Sequence, residues 1–173
     1  IFDTNKSKKF INLFGIKMIF KYFYYLKLVY IKKFKMIKIG INGFGRIGRA
    51  LFKINQKHNY FDVVHINDID PDLKNMIYLL QYDSTYGKYE KNIEFIDETH
   101  FSVDGKVISY SAEDYIENVD WNGADLIICA TGIKKNIIGV KNLINKSIIR
   151  KAVVTHASDL VDNTIIMGVN ESE

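Results

Sequence analysis

Three glycines that follow a short apolar run constrain the fold of this chain more than any other feature. Residues 37–42 are mostly apolar, glycines stand at 43, 45 and 48, and apolar residues then recur at helical spacing from Ile47. Such glycines also occur in ordinary turns, but between a strand and a helix they indicate a dinucleotide-binding fold. We expect Gly43 to form the tight turn, Gly45 to let a pyrophosphate approach the backbone, and Gly48 to let the helix pack closely on the strand. N–H groups at the start of the helix would then hold the phosphates.

A carboxylate at the end of the next apolar run indicates which dinucleotide binds. Residues 61–67 are followed by Asp68, which lies 20 residues after Gly48. An acid at about this distance binds the ribose 2′-hydroxyl of NAD, and its charge would repel the 2′-phosphate of NADP. The alternative is that Asn67 and Asp68 only form a turn before Pro71.

Strand and helix patterns alternate along the rest of the chain. The predicted strands are 37–42, 61–67, 124–130, 151–155 and 164–168, and the predicted helices are 46–57, 72–81 and 134–146. Asp104-Gly105 predicts a hairpin between residues 101–103 and 107–110. We expect a loop at 82–88 and a short helix within 112–118. The alternation predicts an α/β fold with a doubly wound, Rossmann-type parallel sheet.

Positive charge is concentrated at the beginning of the chain. Residues 1–35 hold nine lysines and one acid, whereas the remainder holds 15 basic and 19 acidic residues. The remainder therefore has no basic excess for binding nucleic acid. Lysines interrupt the apolar runs of residues 1–35 well before the ~20 residues that a membrane span needs. We expect residues 1–35 to be a disordered leader, either non-native sequence before a start at Met36 or a targeting segment, and residues 36–173 to form the domain.

Several strings resemble the amino-terminal half of phosphorylating glyceraldehyde-3-phosphate dehydrogenase. The family's opening is matched by Ile41-Asn-Gly-Phe-Gly-Arg-Ile-Gly-Arg49, and its second strand end by Ile66-Asn-Asp68. The most specific string is Gln81-Tyr-Asp-Ser-Thr-Tyr-Gly-Lys88. Further matches are Val103–Lys106, Val119–Gly123, Thr131-Gly132 and Met167–Asn170. The resemblance covers about residues 36–173 and implies that NAD is the cofactor.

The resemblance also implies roles for the matched residues. Arg46 and Ile47 would direct N–H groups towards the pyrophosphate, and Asp68 would hold the adenosine ribose. Thr131 and Gly132 would border the nicotinamide ribose, and Thr155, where the family usually has serine, would lie near the nicotinamide. The implied cofactor-binding residues are Asn42, Gly43, Gly45, Arg46, Ile47, Asp68, Thr131, Gly132 and Thr155.

The sequence departs from the family's pattern in three places. Cys129 replaces a strand-end glutamate, Asp114 replaces an arginine near the adenine, and Thr155-His-Ala-Ser158 replaces Ser-Ala-Pro-Ser. We expect a structural role for Cys129, because a buried strand leaves a thiol inert. His156 is the nearest candidate base, but no nucleophile is identified beside it. The histidines lack metal-ligand spacing, so we predict no metal site.

The reaction that the resemblance implies is glycolytic. The family oxidises and phosphorylates glyceraldehyde 3-phosphate to 1,3-bisphosphoglycerate as a cytoplasmic homotetramer, with NAD, inorganic phosphate and a cysteine nucleophile. The resemblance places that cysteine shortly after Asn170, in a Ser-Cys-Thr-Thr loop that this sequence does not contain. We therefore expect the chain to supply only the NAD-binding domain, truncated before the catalytic domain, with no catalytic residue and no activity of its own. An organellar location would follow only from a genuine leader.

Two alternatives stay open. Erythrose-4-phosphate dehydrogenase is a sister family, and residues 155–158 lean slightly towards it. A free-standing NAD-binding module without catalysis is the other. An in-frame Ser-Cys-Thr-Thr loop after Glu173 would exclude that module.

Overall fold

A mostly parallel sheet organises residues 36–156 of the computed structural model, which describes residues 36–84, 86–121, 123–166 and 168–170. The strands of the described residues are β1 (Lys38–Asn42), β2 (Asp62–Asn67), β3 (Tyr82–Asp83), β4 (Gly87–Lys88), β5 (Ile93–Asp97), β6 (His100–Val103), β7 (Lys106–Ser111), β8 (Leu126–Cys129) and β9 (Lys151–Val154). The described residues from 157 onward belong to a second unit. The predicted leader lies outside the described residues, and the domain boundary at residue 36 stays a prediction.

The strand order is that of a doubly wound sheet. Seven strands follow the order β5-β6-β7-β2-β1-β8-β9. Each neighbouring pair from β7 to β9 in this order is parallel, whereas β5 with β6 and β6 with β7 are antiparallel. The predicted α/β fold is therefore confirmed. Because β1 pairs with β2 on one side and β8 on the other, the strand order reverses at β1. Ligands of such sheets bind at the carboxyl ends of the strands beside this reversal.

Helices cover both faces of the sheet. The helices of the described residues are α1 (Arg46–His58), α2 (Leu73–Gln81), a 3₁₀ turn (Ile116–Asn118) and α3 (Lys134–Asn145). A Cβ built on Gly48 of α1 would lie 3.5 Å from the Ile41 side chain of β1, whereas one built on the neighbouring Gly40 would overlap the ring of Trp121, whose cluster includes Val140 of α3. Successive strand residues point to opposite faces. Thus α1 packs on one face of β1 and the Trp121 cluster on the other.

The predicted hairpin forms β6 and β7. Its two turn residues, Asp104 and Gly105, have φ values of 50° and 80°, as a two-residue type I′ turn requires. Asp104 also accepts a hydrogen bond from the N–H of Asn92 at 3.1 Å, which ties the start of β5 to the turn. Strand β5 has no counterpart among the predicted elements.

Three sequence predictions need correction. Residues 82–88, expected to be a loop, contain the short antiparallel pair β3–β4. Within 112–118 only a 3₁₀ turn forms, at Ile116–Asn118. The strand expected at 164–168 is wrong for its described residues. There Asn170 replaces a neighbouring strand as the hydrogen-bond partner, because its side chain accepts from the N–H of Ile166 at 2.6 Å and donates to Thr164 O at 3.0 Å.

Candidate cofactor-binding site

The sequence-predicted site residues meet at one edge of the sheet. Asn42 is paired with Asn67 of β2 and with Cys129 of β8, and Cys129 is paired with Val154 of β9. The segments that follow these four strand ends therefore emerge side by side at the carboxyl ends of the parallel strands. They are Gly43 after β1, Asp68 after β2, Ala130-Thr131 after β8 and Thr155 after β9.

Each of the three glycines has a distinct environment. Gly43 has φ +93°, and a Cβ there would lie 2.8 Å from the backbone nitrogen of Thr131. A Cβ on Gly48 would overlap the carbonyl oxygen of Gly43, so α1 can approach β1 only without a side chain at this position. A Cβ on Gly45 would have no atom within 4 Å. Two glycines thus close the turn against protein, and the middle one faces open space.

Asp68 is anchored by the loop that it adjoins. Its Oδ2 accepts a hydrogen bond from the N–H of Phe44 at 2.5 Å, and its Oδ1 accepts from the N–H groups of Ile69 at 2.8 Å and Asp70 at 3.2 Å. A carboxylate offers about four acceptor positions. Three backbone donors therefore fix this half-buried group and leave capacity for one further donor, such as a sugar hydroxyl.

The first turn of α1 suits an anion. Arg46 begins the helix and is exposed, and within the described residues no side chain caps this end and no acid stands in its first turn. The first N–H groups of a helix have no partner inside it, and they carry the positive end of its dipole. The surroundings of Gly45 therefore combine free volume, N–H donors and positive potential, which fits the pyrophosphate of a dinucleotide.

A buried hydrogen-bond network lies directly beneath the site, and the sequence analysis missed it. Asn67 Nδ2 donates to Asn42 Oδ1 at 2.8 Å and to Glu113 O at 2.9 Å, while Asn67 Oδ1 accepts from Ser111 Oγ at 2.7 Å and from the N–H of Glu113 at 2.9 Å. Ser111 Oγ lies 2.8 Å from His65 Nε2. The network joins the ends of β1, β2 and β7. An asparagine at the end of both β1 and β2 was the available signal.

His65, which is bonded into this network, is a strongly perturbed titratable group. Its side chain is 5% exposed, and its ring stands edge-on to Trp121 with centroids 5.5 Å apart. Burial lowers its pKa to about 4, with a smaller opposing effect from Asp120 and a smaller lowering from His100. The imidazole is therefore neutral at physiological pH and acts as part of the core.

The β8–α3 connection forms the opposite wall of the site. Thr131 Oγ1 accepts hydrogen bonds from the N–H of Ile133 at 3.2 Å and from Asn136 Nδ2 at 3.1 Å, so it fixes the start of α3. Gly132 is exposed with φ +72°. Thr155 donates its N–H to Cys129 O at 3.1 Å, which continues the ladder to the same edge.

The departures from the family's pattern are accommodated locally. Cys129 is fully buried, with its Sγ 3.6 Å from Thr131 Oγ1, so reagents cannot reach it in this conformation. Asp114 accepts from Lys135 Nζ at 2.6 and 2.7 Å, an exposed pair beside α3. His156 Nδ1 is buried without a hydrogen-bond partner among the described residues.

No group of three or more His, Cys, Asp or Glu side chains in the described ranges could hold a metal ion. None of the helices within those ranges is long and apolar enough to cross a membrane.

The family model and the relatives that this chain resembles carry the same family name. The family described as "Glyceraldehyde 3-phosphate dehydrogenase, NAD binding domain" matches residues 37–137. Glyceraldehyde-3-phosphate dehydrogenase of Salmonella typhimurium is 44% identical over 99 residues, which is 56% of this chain and 29% of the relative. The Priestia megaterium protein of the same name is 36% identical over 140 residues, 79% of this chain and 41% of the relative. Glyceraldehyde-3-phosphate dehydrogenase A of Escherichia coli K12 is 43% identical over 99 residues, again 56% of this chain and 29% of the relative.

The chain spans between 29% and 41% of the length of these relatives. The match includes the glycine loop, Asp68 and the carboxyl ends of β1, β2 and β8. The chain therefore belongs to the glyceraldehyde-3-phosphate dehydrogenase family and contains that family's NAD-binding domain.

Proposed function

We propose that this chain is the NAD-binding part of an enzyme that oxidises and phosphorylates glyceraldehyde 3-phosphate to 1,3-bisphosphoglycerate. The family membership and the names of its relatives support this reaction. Triose phosphate and inorganic phosphate would bind to parts of the protein that this chain does not include. Assembly as a homotetramer and a cytoplasmic location belong to the same proposal.

The observation that carries the proposal is the free volume beside Gly45. Gly43 and Gly48 are packed against protein, whereas no atom lies within 4 Å of a Cβ built on Gly45. The pyrophosphate would occupy this volume and accept hydrogen bonds from the first N–H groups of α1, including those of Arg46 and Ile47.

The other proposed NAD-binding residues lie along the same edge of the sheet. Asp68 would accept a hydrogen bond from the adenosine ribose with its spare acceptor capacity. Thr131 and Gly132 would border the nicotinamide ribose, and Thr155 the nicotinamide. Asn42 would act through its backbone, because its side chain is 2% exposed and bonded to Asn67. When bound, NAD supplies the chemistry of hydride acceptance.

Asp68→Asn tests the cofactor assignment. We expect it to weaken NAD binding about tenfold, the usual loss for a hydrogen bond to a charged group. NADP binding should weaken less, because the repulsion of its 2′-phosphate is removed together with the charge. Calorimetric titration with both dinucleotides measures the change in preference.

Asp62→Asn is the matched control for Asp68→Asn. Asp62 begins the same strand, at the opposite edge of the sheet, so both affinities should stay within about twofold of wild type. An unchanged preference for NAD over NADP in Asp68→Asn would contradict the ribose assignment.

The catalytic part of the proposal is tested by the sequence that follows Glu173 in the transcript. Sequencing the transcript past Glu173 should find an in-frame Ser-Cys-Thr-Thr loop. Its absence would favour a non-catalytic NAD-binding module. The 173-residue chain itself should not oxidise glyceraldehyde 3-phosphate, and turnover that is lost in Cys129→Ser would contradict the structural role of that buried thiol.

A further inference from the structure

Charged side chains hold the backbone of Phe44 on both sides of its Cα. The N–H of Phe44 donates to Asp68 Oδ2 at 2.5 Å, and the carbonyl oxygen of Phe44 accepts from Arg49 Nη1 at 2.8 Å. The Phe44 ring is 1% exposed and stands edge-on to Phe52, with centroids 5.7 Å apart. Rotation of this part of the loop would break a charge-assisted hydrogen bond and remove an aromatic ring from the core.

Arg49 thereby fixes the direction of the Gly45 N–H. A trans peptide is planar, so its C=O and N–H point in opposite directions. With the Phe44 oxygen bonded to the guanidinium, the Gly45 N–H must point away from Arg49. Gly45 is the residue that faces open volume. The side chain of Arg49 therefore sets the direction of a donor in the loop through its bond to the Phe44 carbonyl.

The guanidinium of Arg49 is partly buried, which is unfavourable for a charged group. Burial lowers the pKa of its guanidinium, which the charges of Asp83 and then Asp68 oppose and the charge of Arg46 reinforces. Its Nε is buried without a hydrogen-bond partner among the described residues. An unsatisfied buried donor is rare in proteins and calls for an explanation, of which a role in ligand binding is one. Arginine keeps its proton at neutral pH, so the cation is present beneath the loop.

We propose that Arg49 is a positioning residue for the pyrophosphate of NAD. It holds the Phe44–Gly45 peptide so that the Gly45 N–H faces the ligand, and it adds positive potential behind the loop. This inference rests on the proposed NAD site. It assigns to the side chain of Arg49 a role that the glycine pattern does not contain.

The test compares a ligand that has a pyrophosphate with one that lacks it. Arg49→Met removes the hydrogen bond and the charge but retains most of the volume. We expect it to weaken NAD binding about tenfold, measured by calorimetry, and to leave adenosine binding, measured by NMR titration, within about twofold. A general disturbance of the domain would weaken both ligands alike.

Two further variants separate position from charge. Arg49→Lys keeps the cation and one donor, and should lie between wild type and Arg49→Met, about threefold weaker for NAD. Lys53→Met removes a cation one turn further along α1, which also interacts with Asp83 but does not bond to the loop. It should change NAD affinity by less than about twofold.

The possible results distinguish the role of Arg49 from the proposed binding of NAD on which that role rests. Absence of NAD binding in the wild-type chain would overturn both. Wild-type binding with equal affinity in Arg49→Met would overturn only the role of Arg49, as would equal losses of NAD and adenosine. If Arg49→Met does not fold, Arg49→Lys decides: a loss specific to NAD supports the role, and an unchanged NAD affinity contradicts it.

Discussion

Gly48 shows how one missing side chain sets the distance between a helix and a strand. In an exposed helix interior, replacing glycine by alanine stabilises the helix by about 1 kcal/mol. Here the added methyl group would overlap the carbonyl oxygen of Gly43, which belongs to the backbone and cannot turn aside. The clash, at about 1–3 kcal/mol for overpacking, outweighs the gain in helix propensity.

Gly48→Ala should therefore destabilise the protein. We expect the free energy of unfolding to fall by about 1–2 kcal/mol in urea denaturation, and NAD affinity to fall with it as the Gly43 turn shifts. An increase in stability, as an ordinary helical position would give, would contradict the close packing of α1 on β1.

At the level of single elements, a substitution in the β6–β7 hairpin should change folding stability without changing NAD affinity. Gly105 has φ +80°, and a Cβ there would have no atom within 4 Å. Only the backbone conformation therefore opposes a side chain. The turn precedes β7, so it lies at the amino edge of the parallel strands, opposite the proposed NAD site.

Gly105→Ala should cost about 1–2 kcal/mol of folding stability, the usual cost of a left-handed conformation for a residue with a Cβ. NAD affinity, compared well below the unfolding temperature, should be unchanged. A loss of affinity comparable to that of Gly48→Ala would show that the two edges of the sheet are coupled.

Sequence patterns predicted those elements in which local chemistry and burial agree. The apolar runs of β1, β2 and β8 are mostly buried in the sheet, and Asp104-Gly105 has few alternatives to a type I′ turn. Strand β5 was missed because its apolar residues Ile93, Phe95 and Ile96 do not alternate regularly with polar ones, and four of its five residues are exposed. The strand expected at 164–168 was wrong because the Asn170 side chain bonds to that backbone.

The contacts within the site needed information that sequence patterns do not carry. The glycine spacing predicted which backbone positions would face a ligand. The bonds among Asn42, Asn67 and Ser111 depend on the register of β1, β2 and β7, and β7 pairs with β2 across more than 40 intervening residues. The Arg49 bond to Phe44 depends on the packing distance of α1. Neither follows from residue types alone.

For the whole molecule, His65 makes folding sensitive to acid. Its pKa of about 4 in the folded state lies below the value of about 6.5 in an unfolded chain. The unfolded state therefore binds a proton first as the pH falls, so stability is unaffected above about pH 6.5 and is lost between there and pH 4. From pH 7 to pH 5 the loss should be about 2 kcal/mol.

Denaturation of His65→Gln at the two pH values tests this effect. The variant is expected to lose most of that pH dependence, because glutamine does not titrate. His58→Gln is the control, since His58 is exposed and stacks on Tyr60, and it should retain the wild-type slope. Equal slopes in all three proteins would contradict the burial of His65 as its neutral form.

Gly45→Ala tests directly whether the volume beside Gly45 receives the pyrophosphate of NAD. The backbone there has an ordinary φ of −66°, and no atom lies within 4 Å of the added methyl group. Stability should therefore change by less than about 1 kcal/mol. Calorimetric titration should show NAD affinity reduced at least about tenfold, because the methyl group takes the place of the ligand. NAD binding as tight as that of the wild-type chain would contradict the account.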